Sequence, residues 1–479
     1  MDPVLSAVCQ LFTKLCNIAH PSGGEAAIVA FLTKTLADLG LTPQLDEARN
    51  LRCILPATPG MEDAPGIILQ AHTDMVCVAA PGSGWNTQRD PVTVVNDGEY
   101  LRSDGRSTLG ADNGIGVAVM LYLAHRTDLP HGKVQLLFTA CEERGLVGAA
   151  ALDPEWLDGF RYYINLDAFR NDAAIFASAG GLRQSWVHSI QRTTTIRPYA
   201  FTVTLSGLIG GHSGSDIHRG RGNAISLLAR VLSNWDEAIS SFTGGSSYNA
   251  IPTFAQAVIC TTDLDKFDQY IQHTEQELKD FFGDHEPELS LTAVPCAPPS
   301  LCWMKDTREE VLSFLTALPQ GALAWHTDCP TTVAKSGNPA VLSEVGNMLE
   351  VRHFARCATT AYMDEIATAT ADAAKKFHFT ENQVSRYTPW DGRRDDPFLR
   401  QVQQCYHDLT GKDMESVAVH VGLECSRIME KAPQLSGVSL GADITDAHAV
   451  SERVTLESIS HLTQLIINLI SNPVKEEEA

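Results

Sequence analysis

Apolar and polar positions follow one another along this chain in blocks that predict an α/β fold. Residues 25–40 carry apolar side chains at helical spacing and end in Gly40, which predicts a helix. Three short apolar runs, at 66–74, 134–140 and 162–168, predict buried strands, and the longer stretch 113–127 predicts a helix between the first two. Strands that alternate with helices predict a largely parallel sheet covered by helices on both faces.

The middle of the chain has a different pattern, which predicts a second domain. Strand-like runs at 201–207 and 250–262 precede a long amphipathic helix at 264–283. The final segment returns to helices and short apolar strands. We therefore predict a main domain formed by residues 1–181 and 386–479, with a smaller α/β domain inserted at 182–385.

Composition and charge narrow the possible partners and the compartment. The 479 residues are 44% hydrophobic and 20% charged, which is typical of a globular protein. The net charge of -22 argues against nucleic acid and anionic membranes as partners. The twelve cysteines are scattered without CxxC pairs, and the first residues resemble neither a signal peptide nor a membrane span. We therefore expect reduced thiols and a cytoplasmic location.

The first candidate for chemistry is a histidine and a carboxylate at the end of the run 66–74. Because residues i and i+2 share one face of a strand, His72 and Asp74 are expected to point the same way. Asp74 is then placed to orient a histidine that binds a metal through its other nitrogen. Taken alone, the pair is a weak signal and is more typical of a histidine that makes ordinary local hydrogen bonds.

Further carboxylates follow the next predicted elements. Asp112 lies in a glycine-rich turn before a helix, where an ordinary helix N-cap is the alternative. The turn lacks the spacing of a phosphate-binding loop. Glu142 and Glu143 end an apolar run, and strand alternation would send the two side chains in different directions. A solvated strand end is the alternative for this pair.

Two more residues complete the constellation. Asp167 ends the third apolar run, and His448 lies in a polar loop before the last helix. Alone, the first fits a turn and the second a surface histidine. Together, the five side chains predict an oxygen- and nitrogen-rich site for two ions of zinc or a similar divalent metal: His72, Asp112, Glu143, Asp167 and His448.

The sequence resembles the co-catalytic zinc dipeptidases of the aminoacylase and carboxypeptidase G type. The resemblance rests on "AHTDMVC", "TLGADNGIG", "TACEERGLVGA", "INLDA", "GGHSG", "HVGLEC" and "AHAVSERV", in order along nearly the whole chain. Among these motifs, "TLGADNGIG" together with "HVGLEC" points to the aminoacyl-histidine, or cytosol non-specific, dipeptidases of bacteria. The resemblance implies a zinc-exopeptidase-like sheet sandwiched by helices, with the inserted domain acting as a lid.

The resemblance also implies roles for the candidate residues. Asp112 would bridge two zinc ions, with His72 and Asp167 on one ion and Glu143 and His448 on the other. Glu142 would be the general base for a water held by both metals, and Asp74 would orient His72. The sequence leaves manganese and cobalt open as alternatives to zinc.

Four residues of the inserted domain and its surroundings match substrate-holding positions of the family. His212 would stabilise the oxyanion, although a histidine in a flexible glycine loop is the alternative. Asn249 and Arg356 would hold the substrate, the arginine at its carboxylate end. Gly422 would let the backbone approach the substrate closely. The resemblance further implies a homodimer formed through the lid.

The sequence departs from the family pattern beside two of the expected ligands, where Ala168 and Phe169 follow Asp167, and Ala449 and Val450 follow His448. The leading hypothesis is a metal-dependent dipeptidase for unblocked L-dipeptides, with Xaa-His among the candidate substrates. An N-acyl amino acid amidohydrolase that uses the same residues is the alternative enzyme. A binding protein without catalytic activity is the third possibility, which the intact Glu142 argues against.

Overall fold

The computed structural model describes residues 2–472, which fold into two compact units. The first unit comprises the described parts of Met1–Ser178, Trp390–Ala418 and Leu423–Ala479, and the second comprises Ala179–Pro389 and Val419–Gly422. The insertion predicted at 182–385 therefore begins three residues later and ends four residues earlier than the second unit. The segment Val419–Gly422 packs with the second unit, whereas the sequence had placed it in the main domain.

The helix bounds in the described part of the chain are α1 Pro3–Cys16, α2 Ala26–Asp38, α3 Ala111–Ala124, α4 Val147–Ala151, α5 Ala224–Ser233, α6 Leu264–Phe282, α7 Lys305–Ala317, α8 Thr360–Lys376, α9 Pro397–Thr410, α10 Glu424–Lys431 and α11 Leu456–Ser471. Polar side chains cap the first turn of several helices. The side chain of Asn223 caps α5 by accepting from the Ser226 N–H, and Asp263, Thr359 and Thr455 cap α6, α8 and α11 in the same way.

The strands belong to four sheets. Their bounds are β1 Gln44–Leu45, β2 Leu51–Leu55, β3 Ile67–His72, β4 Val94–Asn96, β5 Tyr100–Ser103, β6 Val134–Thr139, β7 Tyr162–Ala168, β8 Ala173–Ser178, β9 Gly180–Ser189, β10 Arg192–Thr194, β11 Tyr199–Ser206, β12 Ala238–Gly245, β13 Ala255–Thr261, β14 Ser290–Cys296, β15 Leu301–Trp303, β16 Gly321–Trp325, β17 Val333–Val345, β18 Met348–Cys357, β19 Thr380–Tyr387, β20 Glu415–Val419, β21 Ser436–Gly441, β22 Ile444–Thr445 and β23 Arg453–Thr455.

The first unit is built on a mixed eight-stranded sheet in the order β1-β2-β6-β3-β7-β21-β8-β20. Its four central strands, β6, β3, β7 and β21, are parallel, whereas β1, β2 and β8 join antiparallel to their neighbours. Every residue of β3 and β6 is buried, as expected for strands whose two faces are both covered. The predicted α/β class, with a mixed sheet parallel at its centre, is therefore confirmed.

The second unit contains a nine-stranded antiparallel sheet in which β14, β11, β13, β12, β17, β18, β9 and β19 are neighbours in that order, and β16 pairs with β17. Buried side chains of α5, α6 and α7 join those of the sheet in one hydrophobic core that includes Phe242, Phe267 and Phe314. The apolar runs of the sequence predicted two of these strands, β11 and β13. Among residues 2–472, no helix combines the length and apolar character that a membrane crossing requires.

A buried carboxylate holds the glycine-rich loop of the second unit in place. Glu286, 1% exposed, accepts hydrogen bonds from the backbone N–H groups of Ile209 at 2.6 Å and Gly222 at 2.7 Å. These two residues lie on either side of His212 in the loop. The loop that carries a predicted catalytic residue is therefore fixed at both ends by one side chain.

Replacing Glu286 tests this role. Because Glu286→Ala leaves two buried N–H donors without acceptors, we expect it to lower the free energy of unfolding by about 2–4 kcal/mol. Urea denaturation followed by circular dichroism measures the effect. The matched control is Glu288→Ala, which removes an exposed carboxylate two residues away. Equal unfolding midpoints for the two variants would contradict the assignment.

Candidate metal centre

The first histidine of the centre ends the buried strand β3. Its Nδ1 lies 2.9 Å from the main-chain oxygen of Asp74 and 3.5 Å from the Oδ1 of that residue. Because β3 ends at His72, Asp74 lies beyond the strand, and strand alternation does not explain the contact. The contacts of Nδ1 nevertheless leave the Nε2 of His72 facing the other carboxylates.

Asp112 occupies the middle of the cluster. Its Oδ1 lies 2.9 Å from the Nε2 of His72, and its Oδ2 lies 2.9 Å from the Nε2 of His448. Asp112 is 6% exposed and stands at the start of α3. One buried carboxylate therefore faces two histidines that come from opposite ends of the chain, one through each oxygen.

The remaining two predicted ligands lie against the same histidines. The Oε1 of Glu143 is 2.8 Å from the Nε2 of His448, and the Oδ1 of Asp167 is 3.5 Å from the Nε2 of His72. Single ligand atoms of His72, Asp112 and Glu143 all lie within 4.8 Å of one another. The structure thus brings all five predicted ligands together in the first unit.

The two adjacent glutamates are positioned by a turn, not by a strand. The strand β6 ends at Thr139, so the prediction that strand alternation separates Glu142 from Glu143 is wrong. Instead, the carboxylate of Asp74 accepts the backbone N–H of Glu142 at 2.9 Å and that of Glu143 at 3.2 Å. Asp74 therefore fixes the loop that carries both glutamates in addition to contacting His72.

The cluster concentrates negative charge in a buried space. Burial and the neighbouring charge of Asp112 raise the pKa of Asp167 to about 8, and burial raises the pKa of Glu142 well above its usual value. Hydrogen bonds to Asp112 and Glu143 raise the pKa of His448 to about 10. Burial alone would lower the pKa of His72, but the surrounding carboxylates outweigh it and raise that pKa well above 6.5.

These pKa shifts are typical of a group of carboxylate and imidazole side chains that suits divalent cations. Without a cation, the buried carboxylates can coexist only by holding protons between themselves and the two histidines. A divalent ion would replace those protons and would be held by the same oxygens and nitrogens. Carboxylate and imidazole groups are ligands of Zn²⁺, and they also suit Mn²⁺ and Co²⁺.

A residue that the sequence did not single out holds Asp112 in place. The carboxylate of Glu452, 2% exposed, accepts four consecutive backbone N–H groups, those of Leu109, Gly110, Ala111 and Asp112, at 2.8, 3.0, 2.8 and 3.4 Å. These donors include the first N–H groups of α3, which have no partner within the helix. Glu452 also lies four residues after His448, so it links the two loops that face each other across Asp112.

A second unpredicted carboxylate lies in a buried polar network of the first unit. Glu424, fully buried at the start of α10, accepts hydrogen bonds on its Oε2 from Gln70 at 2.6 Å and Thr139 at 2.7 Å. Gln70 in turn accepts from Tyr163 and Asn165. Burial raises the pKa of Glu424 to about 7. Its motif "HVGLEC" was noted in the sequence, but no spacing rule distinguishes this glutamate from a surface one.

The departures from the family pattern place apolar residues directly after Asp167 and directly after His448. Ala168 is buried as the last residue of β7, whereas the side chain of Phe169 is 41% exposed. Ala449 and Val450 follow His448 as half-buried apolar residues. These four side chains supply neither a ligand atom nor a carboxylate.

The predicted substrate residues lie in the second unit, where two of them are in contact. The Nη2 of Arg356 lies 3.3 Å from the Nε2 of His212. Arg356 is 4% exposed and its guanidinium stacks on Phe354, with the guanidinium of Arg183 also near that ring. Among the described residues, neither arginine forms an ion pair with a carboxylate, so this positive charge is uncompensated within the unit.

The other two predicted substrate residues are placed differently. Asn249 is exposed, and its main-chain oxygen accepts the backbone N–H of Ser213, the residue after His212. Gly422 packs against Tyr387, whose hydroxyl oxygen would be 2.5 Å from a Cβ at that position. A larger residue at 422 would therefore displace Tyr387, which also interacts with Arg356.

The mixed sheet, parallel at its centre, and the cluster of carboxylates and histidines beside it define an α/β protein with a centre suited to divalent metal ions. Residues 68–472 match the model of peptidase family M20/M25/M40, and the chain belongs to that family. The predicted family is thereby confirmed.

Full-length relatives show the same family and fold. The chain is 30% identical over 467 residues to the cytosol non-specific dipeptidase of Escherichia coli (strain K12), covering 96% of both chains. It superposes on the aminoacylhistidine dipeptidase of Vibrio alginolyticus with a TM-score of 0.87 and 28% identity, covering 99% of this chain and 98% of the other. A tripeptidase from Staphylococcus aureus shares the fold, with a TM-score of 0.58, 17% identity and 98% coverage of both chains.

Replacing Glu452 tests whether it positions Asp112. The amide nitrogen of Glu452→Gln cannot accept hydrogen bonds, so at least one of the N–H groups now bound by that oxygen loses its acceptor. We expect metal affinity to fall about 10–100-fold, as is usual when a group that orients a ligand is lost. Metal titration of the apoprotein measures this. The control is Glu457→Gln, at a side chain that is 76% exposed. Unchanged affinity in Glu452→Gln would contradict the role.

Proposed function

We propose that this protein is a metal-dependent dipeptidase that hydrolyses the peptide bond of unblocked L-dipeptides. The observation that carries the proposal is the buried carboxylate of Asp112, which faces His72 and His448 through separate oxygens. A carboxylate placed in this way would be able to hold two metal ions. Membership of a peptidase family and full-length similarity to two dipeptidases support the reaction class.

We assign two divalent ions to the five residues of the centre. His72 and Asp167 lie on one side of Asp112, and Glu143 and His448 lie on the other. When bound, the two ions would polarise the scissile carbonyl and lower the pKa of a water molecule. Zinc is our proposal for the native metal, with manganese and cobalt as alternatives.

Glu142 is our proposed general base. Its carboxylate would take the proton of the attacking water and deliver it to the departing amine, so the group ends the cycle unprotonated. The two backbone bonds to Asp74 hold the turn that carries Glu142. Asp74 therefore positions the base as well as orienting His72.

The uncompensated arginines of the second unit support a substrate with a free carboxylate. Arg356 is buried beside His212 without an acidic partner in the described chain, and an arginine fork can bind a carboxylate through two hydrogen bonds. We propose that Arg356 binds the carboxyl end of the dipeptide and that His212 stabilises the oxyanion. Asn249 and Gly422 complete the proposed substrate residues.

The resemblance to bacterial dipeptidases supports the remaining assignments. We propose that the second unit acts as a lid, that the protein is a homodimer formed through it, and that it works in the cytoplasm. Xaa-His dipeptides are among the proposed substrates, since one relative is an aminoacylhistidine dipeptidase.

A substrate panel tests the reaction. The metal-loaded protein should cleave free dipeptides, cleave the corresponding dipeptide amides with a raised KM, and leave N-acetyl amino acids largely intact. The raised KM is expected because an amide cannot form the charged contact with Arg356. The release of free amine from each compound is measured with zinc, manganese or cobalt bound, and the compounds that are cleaved identify the reaction. Preference for N-acetyl amino acids would indicate the amidohydrolase instead, and no cleavage by metal-replete protein would exclude both enzymes.

Glu142→Gln tests the general base. An amide of the same size cannot take up the proton, so we expect kcat to fall about 10²–10⁴-fold. Bound metal, measured by mass spectrometry, should stay at the wild-type level. Glu155→Gln, at an exposed glutamate, is the control and should retain full activity. Undiminished turnover by Glu142→Gln would remove this residue from the mechanism without affecting the metal assignment.

A further inference from the structure

Two cysteines that the proposed function does not use are in contact in the second unit. The Sγ atoms of Cys260, on β13, and Cys302, on β15, are 3.6 Å apart, which is van der Waals contact, and both side chains are buried. The two residues are 42 positions apart in sequence. The twelve cysteines of the chain are all free thiols, so this pair is present in the reduced form.

A row of small side chains across the sheet brings the two sulfurs together. Cys260 pairs with Ala238 on one neighbouring strand and with Ala200 on the other, and Ala200 pairs in turn with Cys296. Residues paired in register point to the same face of a sheet. Because the side chains of this row are small, the row leaves a shallow groove on that face. Cys302 packs into one hydrophobic cluster with Ala200 and Cys260.

The strand that carries Cys302 belongs to a separate small sheet. The strands β15 and β10 form a two-stranded sheet, in which Cys302 lies opposite Thr193. A hydrogen bond from the Oγ of Ser240 to the main-chain oxygen of Leu301, at 2.9 Å, also ties β15 to the large sheet. The thiol pair therefore sits at the junction of the two sheets, where a covalent bond would join them.

We propose that Cys260 and Cys302 are a site of reversible oxidation, forming an intrachain disulfide that joins β15 to the nine-stranded sheet. The oxidant is hydrogen peroxide, which is small and uncharged. One thiolate attacks a peroxide oxygen, the O–O bond breaks, and a sulfenic acid forms as hydroxide leaves. The other sulfur then attacks the sulfenic sulfur, the S–O bond breaks, and water leaves. In sum, two thiols and one peroxide give one disulfide and two waters.

The surroundings of the pair make the reaction slow but selective. Burial raises the pKa of Cys260 to about 12, so little thiolate is present at neutral pH. Once one sulfur is oxidised, however, its neighbour is already in contact, and disulfide formation competes well with further oxidation. The bond would close a loop that contains α6 and β14, which restricts the unfolded chain and stabilises the fold.

Peptide mapping of the whole protein tests the proposal. Protein exposed to hydrogen peroxide, then unfolded and alkylated, should yield a cross-linked peptide that contains Cys260 and Cys302, and a reducing agent should remove it. The oxidised protein should also melt at a higher temperature than the reduced one. Recovery of both residues as alkylated free thiols, while other cysteines are oxidised, would overturn the proposal. A cross-link of either residue to Cys296 would overturn it equally.

Two variants separate the specific bond from general oxidation. Cys302→Ser should lose both the cross-link and the rise in melting temperature, and Cys302→Ala serves if the serine variant does not fold. The matched control is Cys357→Ser, at a buried strand cysteine of the same unit whose hydrophobic cluster contains no second cysteine among the described residues. This control should keep the cross-link. Since none of these residues belongs to the proposed catalytic groups, the outcome does not depend on the proposed function.

Discussion

The mutual repulsion of buried carboxylates is the constraint on which the architecture of the first unit depends. The side chains of Asp112, Asp167 and Glu143 are only 5%, 8% and 11% exposed where they approach the two histidines, and like charges repel more strongly there than in bulk water. Protons or cations must compensate this charge for the fold to persist. The surrounding carboxylates raise the pKa values of His72 and His448, so that both histidines tend to hold protons, and divalent ions would compensate the same charge.

Meeting this constraint requires that the loops carrying the carboxylates be held rigidly. The backbone supplies the donors: Asp74 accepts the N–H groups of Glu142 and Glu143, and Glu452 accepts four N–H groups in the loop before and at the start of α3. Both anchoring groups are themselves buried carboxylates, so each is stabilised by the dipoles it orders. Carboxylates thus serve both as expected metal ligands and as the groups that hold the loops carrying those ligands.

The continuous apolar runs made the central strands of the first unit predictable. The strands β3, β6 and β7 are buried almost throughout, so their sequences contain few polar interruptions. Most strands of the second unit were not predicted, for two reasons. The strand β19 is exposed along nearly its whole length, whereas β9, β17 and β18 are largely buried but contain polar residues that interrupt their apolar runs. The sequence pattern predicts that Glu142 and Glu143 end the strand, whereas they lie in the turn after β6. A Glu-Glu pair occurs both at strand ends and in turns, so the pair does not distinguish the two.

The sequence by itself determined which residue types could form the centre and which family pattern they follow. His72, Glu143 and Asp167 lie at or just after the ends of apolar runs, whereas Asp112 lies in a glycine-rich turn and His448 in a polar loop. Only the tertiary structure decided that Asp112 stands between two histidines, one of them 336 residues away, and that Glu452 anchors it. The reason is physical: a hydrogen bond between distant segments depends on how whole elements pack, and no local periodicity encodes that packing.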